Sequence, residues 1–289
     1  MNITTNVSFG DFFTLKGILA IVFQVNIFDN IVEKLSENLL SGGGKFSGAL
    51  GAIQTCYNMV FPVATMLLFV YFLLALMDKV SSETFTWEQL WKLFAMLLGT
   101  KILIEEGFQL LQLLFSIGLS MNQKISEIFR TTDNIAVTNE QIEELINIAI
   151  ENMDVPKFLR RLLLWMMMLP LCLLPALTSL AISVIVYSRV IEIYLRTVYM
   201  PIALADFFHG GVQSSGWRAI KGFLAVSLQG ATILVISIIY SNLSAALLSS
   251  YGGADHFLAF VGGTAALQFS AVALMFKSLN LTKEMLGVA

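Results

Sequence analysis

The stretch Gly99–Phe115, GTKILIEEGFQLLQLLF, lies inside an apolar segment, Leu90–Leu119, that is long enough to cross a lipid bilayer. It nevertheless carries Lys101, Glu105 and Glu106 near its middle. Charged side chains in the hydrocarbon interior are costly, and they almost always face other protein or a water-filled cavity. These three charges therefore indicate a helix that contacts something other than lipid along one side.

On an uninterrupted helix, with about 100° of rotation per residue, polar residues of this segment fall within one stripe. They are Lys101, Glu105, Gln109, Gln112 and Ser116, with Glu106 beside them. Lys101 and Glu105 are four residues apart and can pair directly. Two interpretations stay open. Either the pair and the glutamines satisfy one another and neighbouring helices, or the stripe lines a passage or a contact between subunits.

The composition predicts a polytopic membrane protein. Of 289 residues, 57% are hydrophobic and 13% are charged, whereas a soluble domain averages about 25% charged residues. The net charge of −3 gives no sign of a basic surface for nucleic acid.

Five segments have the roughly 20 mostly apolar residues that a membrane-spanning helix needs. They are Ala52–Met77, Leu90–Leu119, Leu162–Tyr187, Ala219–Leu248 and Phe257–Phe276. We therefore expect an all-α, polytopic transmembrane helical bundle of about five spans. Small and hydroxyl-bearing residues in the last two segments favour close packing between helices.

Two further segments are amphipathic. Asp11–Leu40 has the pattern of an interfacial helix, with a sixth span as the alternative, and the glycine-rich hinge Ser41–Gly48 follows it. The connection Ser120–Lys157 has three basic and seven acidic residues, a net charge of −4. Within it, Thr138 and Gln141 form a capping box that predicts a short helix outside the bilayer. The expected regions are thus 1–48, 49–119, 120–157 and 158–289.

A long helix is predicted from Leu162 onward, because no turn signal separates Leu162–Tyr187 from Arg189–Phe208. Prolines should bend this helix at Pro170 and Pro175, and Pro201 should end or kink it at Met200. Three charged residues share one face of it: Arg189, Glu192 and Arg196. They form a set that snorkels to the membrane surface, or they pair with Glu105, Glu106 or Asp206, or they dock a cytosolic partner.

The loop after this helix, HGGVQSSGW, contains three glycines and is expected to be a flexible turn between helices.

The distribution of Lys and Arg predicts the orientation. With the acidic connection outside, the regions around Lys79, Ser188–Arg218 and the C-terminal tail lie in the cytoplasm, and the N-terminal region lies outside. The basic cluster at Lys157, Arg160 and Arg161 opposes this orientation.

No catalytic or metal-binding motif is recognisable. There is no nucleophile elbow and no HExxH sequence. Cys56 and Cys172 lie in apolar runs, and no ligand cluster surrounds His209 or His256. We therefore expect neither an enzyme nor a bound cofactor or metal.

The layout resembles the TrbL-like family of polytopic inner-membrane subunits of conjugation and type IV secretion systems. The resemblance covers residues 10–280 approximately. It is carried by the amphipathic N-terminal region, the five spans, the acidic connection after the second span, and the segments YLRTVYMPIALADFF and RAIKGFLAVSLQGATILV. Within the family, the chain is most similar to versions carried by conjugative elements of Gram-positive bacteria.

The resemblance implies a non-enzymatic channel or scaffold subunit in the plasma membrane. Such subunits form oligomers, assemble with other membrane subunits and a conjugation ATPase, and contribute to the route of transferred DNA or protein. The Lys101 stripe and the face with Arg189, Glu192 and Arg196 would then be subunit contacts or channel lining. The competing interpretations are a secondary transporter or permease subunit with its charged site in Leu90–Leu119, and a small pore or lysis protein.

Overall fold

All regular structure in the described part of the chain is helical, which confirms the predicted all-α fold class. The computed structural model describes residues 47–81, 86–131, 157–251 and 257–288, together with Leu35 and Leu40. The predicted helix at Thr138 lies outside these residues, as does the predicted amphipathic segment Asp11–Leu40 apart from Leu35 and Leu40.

The helices in the described ranges are α1 (Ser47–Ser81), α2 (Trp87–Glu105), α3 (Gly107–Thr131), α4 (Lys157–Ala205), α5 (Phe207–Gly210), α6 (Ser215–Tyr251) and α7 (Phe257–Met285). A single 3-10 turn, Gly211–Gln213, lies between α5 and α6.

Three stretches of the described chain are long and apolar enough to cross a membrane: Ala49–Ser81, Leu177–His209 and Ser215–Leu247. A fourth candidate is the pair α2 and α3, which passes the same criteria only when taken together and is bent by 61°. The fifth predicted segment lies within α7. These helices are consistent with a polytopic bundle.

The second predicted span differs from expectation. Leu90–Leu119 is not one straight helix, because α2 ends at Glu105 and α3 begins at Gly107. The prediction that Lys101 and Ser116 lie on one stripe of a single uninterrupted helix is therefore wrong, because the two residues belong to different helices.

The long predicted helix exists as α4, which has 49 residues and passes through Pro170, Pro175 and Pro201. Pro201 does not end it, since the helix continues to Ala205. Met200, Leu204 and Ala205 are fully or almost fully buried, so packing holds the last turn in place.

The described residues divide into two compact units, and each has its own apolar core. Unit I takes its residues from 36–122, 187–231 and 279–288. Its core includes side chains from α1 to α6, among them Leu68, Phe72, Phe115, Ile193 and Phe223.

Unit II takes its residues from 123–186 and 232–278, with Leu35. Its core gathers Ile182, Ile185 and Val186 of α4, Ile233 and Leu234 of α6, and Met275 of α7.

Candidate functional site

The break between α2 and α3 is held by a residue from α1. The hydroxyl of Tyr57 donates a hydrogen bond to the carbonyl of Ile104 (3.2 Å), in the last turn of α2. The Tyr57 ring packs edge-on against Phe108, with 5.5 Å between centroids. A Cβ atom at Gly107 would lie 2.8 Å from Tyr57 Oη and 3.0 Å from Leu204 Cδ1. A larger residue at position 107 would therefore displace the side chains of Tyr57 or Leu204 that pack against the start of α3.

The charged residues around the break are on the surface of the chain. Lys101 Nζ lies 3.6 Å from Glu105 Oε1, and the two side chains are 53% and 47% exposed. Glu106 and Gln109 are exposed as well. Gln112 donates to the carbonyl of Leu40 (3.0 Å). The chain thus brings Lys101 and Glu105 together as predicted, but it does not enclose them.

Arg189 has the opposite environment, because only 3% of it is exposed. It lies near the middle of the candidate span Leu177–His209. Its Nε donates to the carbonyl of Val226 (3.1 Å) and its Nη2 to the carbonyl of Ser227 (3.0 Å). Among the described residues, it forms no ion pair with a carboxylate. The predicted snorkelling to the surface is therefore wrong for Arg189, whose charge is solvated by the backbone of α6.

Glycines and an asparagine complete the surroundings of Arg189. A Cβ atom at Gly230 would lie 2.6 Å from Asn122 Nδ2 and 2.8 Å from Arg189 Nη1. One turn away, a Cβ atom at Gly118 would lie 2.4 Å from the carbonyl oxygen of Ser227. Helices α3 and α6 thus meet within unit I at a distance that only glycine permits, and the Arg189 side chain of α4 fills the space beside Gly230.

Glu192 and Arg196 form an ion pair on α4. Both Nε and Nη2 of Arg196 donate to Glu192 Oε1, at 3.0 Å and 2.7 Å. The side chains are 27% and 28% exposed, so this pair is more shielded than Lys101 and Glu105. A Cβ atom at Gly222 would lie 2.7 Å from Arg196 Nη1. Within the described residues, Arg196 forms no ion pair with Glu105, Glu106 or Asp206.

The contacts between α4 and α6 follow one antiparallel register in unit I. Residue numbers rise along α4 as they fall along α6 in three contacts: Arg189 with Gly230, Arg196 with Gly222, and the carbonyl of Ala203 with Gly216. Each polar group that α4 presents to α6 in these contacts lies against a glycine. The sequence pattern placed both arginines on one face correctly, but it gave no means of knowing that glycines of α6 would receive them.

The connection from α4 to α6 is a hydrogen-bonded corner. Asp206 Oδ2 accepts bonds from the backbone N–H of Ser215 (2.8 Å) and from its hydroxyl (2.6 Å). The hydroxyl of Ser214 accepts a bond from the N–H of Trp217 (3.2 Å), which is N-capping geometry. Gly211 has a positive φ of 52°. A Cβ atom at Gly216 would lie 2.5 Å from the carbonyl oxygen of Ala203, so Gly211 and Gly216 both serve the geometry of this turn.

The residues that sequence reasoning missed are Tyr57, Gly107, Gly118 and Asn122. In the sequence, each of them is only a glycine or a polar residue within an apolar run. Many helices contain such residues, so the sequence did not single these four out. In the described part of the chain, no group of three His, Cys, Asp or Glu side chains is placed to hold a metal ion.

A family model described as TrbL/VirB6 plasmid conjugal transfer like protein matches residues 46–201, more than half of the chain. The matched range contains the break, the Lys101 region and the arginines of α4. No curated protein and no solved structure matches the chain significantly.

Proposed function

We infer the function from the premise that this chain belongs to the TrbL/VirB6 plasmid conjugal transfer-like family. We propose that it is a membrane channel or scaffold subunit of a conjugative type IV secretion system. In this role it supports the transfer of DNA, or of protein, across the plasma membrane. It acts by forming part of the route and of its frame, and not by catalysis.

One observation carries the proposal beyond the family. Lys101 and Glu105 are about half exposed, although they belong to the helix pair that forms a candidate span. Lipid chains cannot solvate such a pair, so it must meet protein or water once the chain is in a membrane. A subunit that assembles with other subunits around a transfer route would have both protein and water beside this pair.

The partners follow from the same role. We expect other membrane subunits of the machine, a conjugation ATPase, further copies of this chain, and surrounding lipid. Transferred DNA would touch the subunit only transiently. In this arrangement the C-terminus lies in the cytoplasm, on the side of the ATPase.

The test is the mating efficiency of donor cells whose conjugative element carries altered copies of this chain. Removal of the chain should abolish DNA transfer. The neutral double variant Lys101→Met with Glu105→Gln should reduce transfer strongly while leaving the amount of chain in the membrane unchanged. The matched control neutralises another exposed pair on α2, Glu88 and Lys92, whose charged atoms lie 3.3 Å apart. Full transfer without the chain contradicts the proposal.

A second candidate function is a secondary transporter or permease subunit, and the break in the α2–α3 pair favours it. Broken helices with charged residues at the break are typical of substrate sites in transporters. This reading predicts saturable uptake of a small solute by vesicles that contain only this chain, lost in the same Lys101 and Glu105 variant. Conjugal transfer would then not depend on the chain.

A further inference from the structure

Helix α1 contacts the end of α4 and the helix that follows it at two separate places. The Tyr57 hydroxyl and the Leu204 side chain, in the last turn of α4, both lie within 3.0 Å of the Cβ position of Gly107. Further along α1, the ring of Phe72 packs edge-on against Phe208 of α5, with 6.2 Å between centroids. These contacts move about 22 Å along α1, at 1.5 Å per residue, but only from Leu204 to Phe208 along the other helices. Helix α1 therefore lies across the end of α4 and not alongside it.

The bend between α2 and α3 agrees with this crossing. Within unit I, α3 runs in the same direction as α6, since Gly118 lies against Ser227 and Asn122 lies against Gly230. Helix α2 meets α3 at an angle of 61°, and α1 packs against α2. The α1–α2 hairpin thus leaves the bundle of α3, α4 and α6 sideways, at the end of the bundle where the corner lies.

The corner marks one surface of the membrane. It connects two candidate spans, of which one ends at His209 and the next begins at Ser215. Each of these spans has 33 residues, which is about 50 Å of helix against roughly 30 Å of hydrocarbon. The bundle takes up the whole thickness of the bilayer from the corner onward. The hairpin at its end therefore has no bilayer left to cross.

The surface of α1 is nevertheless unsuited to water. Met59, Met66 and Met77 lie on one face of this helix and are 69%, 72% and 68% exposed. Among the three single helices that could span a membrane, α1 is the most apolar and the least buried. An apolar face of this size needs hydrocarbon or protein against it.

The side chains at the end of the hairpin favour lipid as the partner. Trp87 and Trp91 lie one turn apart on α2 and are both strongly exposed. Lys79 of α1 and Lys92 of α2 are exposed near them in sequence. An indole ring places its apolar body among acyl chains and its N–H among headgroups, and a lysine stem can follow an apolar surface to water. This combination is typical of the boundary between hydrocarbon and water.

We propose that the α1–α2 hairpin does not cross the bilayer and instead lies in the leaflet on the side of the corner, with phospholipid as its partner. Acyl chains cover the methionine face of α1, and the headgroup region surrounds Trp87 and Trp91. The inference needs only the membrane setting of the proposed function. It places both ends of α1 on the side of the corner, whereas the predicted span Ala52–Met77 places them on opposite sides.

The sides of the membrane are tested with single cysteines in a chain that carries Cys56→Ser and Cys172→Ser. Gln54→Cys reports the start of α1, Glu88→Cys the start of α2, and Arg218→Cys the corner, and all three positions are exposed. A thiol reagent that cannot cross membranes is added to intact cells or to inside-out vesicles. We expect all three cysteines to react from the same side.

The matched control is Ser250→Cys, an exposed position at the far end of α6 from Arg218. It should react from the side opposite to Arg218→Cys. Reaction of Gln54→Cys and Glu88→Cys from opposite sides means that α1 crosses, and the proposal is then wrong. Reaction of Ser250→Cys and Arg218→Cys from one side overturns it too, because the corner would not end a membrane-crossing bundle.

The depth of α1 is measured by tryptophan fluorescence. All four tryptophans are replaced by phenylalanine, and Met66→Trp is introduced at the middle of the exposed face of α1. The chain is placed in vesicles whose phospholipids have bromine atoms near the headgroup or near the end of the acyl chain. We expect the shallow bromines to quench the emission more strongly than the deep ones.

Leu195→Trp in the same tryptophan-free chain is the control. Leu195 is exposed on α4 and lies about 16 Å before the corner along that helix, so the deep bromines should quench it more strongly. A Met66→Trp signal quenched most by the deep bromines contradicts the proposal. A signal that neither lipid quenches does so as well, because protein or water then covers this face.

Labelling and quenching are measured without partners or DNA transfer, so the two proposals can fail separately. Loss of mating without the chain supports the proposed function even if α1 proves to cross the membrane. Full mating without the chain contradicts the proposed function and leaves the position of the hairpin standing.

Discussion

The guanidinium group of Arg189 occupies the space that a side chain at position 230 would need. A Cβ atom at Gly230 would lie 2.8 Å from Nη1 and 2.9 Å from Cζ of Arg189. The buried cation and the glycine are thus one structural feature, although they lie on different helices.

Gly230→Ala should therefore destabilise the chain by displacing Arg189 from its two carbonyl acceptors. We expect a loss of about 1–3 kcal/mol, the usual cost of overpacking. In a chain that already carries Arg189→Ala, the same substitution should cost less, because only the contact with Asn122 Nδ2 at 2.6 Å is left and alanine favours a helix over glycine by about 1 kcal/mol. Unfolding of the four purified proteins in detergent, treated as a double-mutant cycle, measures the coupling. An equal loss in both backgrounds would contradict the contact.

Arg189→Lys should be more damaging than Arg189→Met. Lysine keeps the buried charge but lacks the planar guanidinium group, whose two N–H donors reach the carbonyls of both Val226 and Ser227. A buried charge without such partners costs about 3–5 kcal/mol. Methionine removes the charge, and its flexible side chain can fill the space. The comparison is made by the midpoint of thermal unfolding in the same detergent. Lysine tolerated better than methionine would show that charge alone matters at this position.

Gly118→Ala should destabilise the chain because its Cβ would lie 2.4 Å from a backbone oxygen, which cannot rotate away. The expected loss is about 2 kcal/mol or more. Gly99→Ala is the matched control, since nothing lies within 4 Å of a Cβ at that helical position. The control should gain up to about 1 kcal/mol from helix propensity. Chemical denaturation of the two variants beside the parent chain gives the sign of each effect.

Tyr57→Phe should loosen the break between α2 and α3. It removes the hydroxyl that binds the carbonyl of Ile104, a loss of about 1 kcal/mol. The ring and its contact with Phe108 stay, so the apolar packing is conserved. Tyr199→Phe is the control, because Tyr199 is exposed on α4. Hydrogen exchange at the backbone N–H groups near Ile104 should rise in the first variant only.

Local patterns in the sequence were sufficient to predict much of the helical architecture. Apolar runs of bilayer length predicted the helices, since burying about 20 apolar residues in hydrocarbon outweighs almost any local preference. The charged face of α4 followed from helical spacing alone, and so did the pairing of Lys101 with Glu105. The resemblance to a conjugation family, later supported by the match over residues 46–201, also came from this layout.

Tertiary contacts decided the rest. Whether a charged residue is buried or exposed depends on which neighbour packs against it, and those neighbours are distant in sequence. Tyr57 lies 47 positions from Ile104, and Arg189 lies 37 positions from Val226. Spacing along one helix contains no information about such a neighbour. The sequence by itself thus determined that the chain forms membrane helices with a few charges, while only the packing of glycines, carbonyls and one tyrosine decided that Arg189 is enclosed and that Lys101 stays exposed.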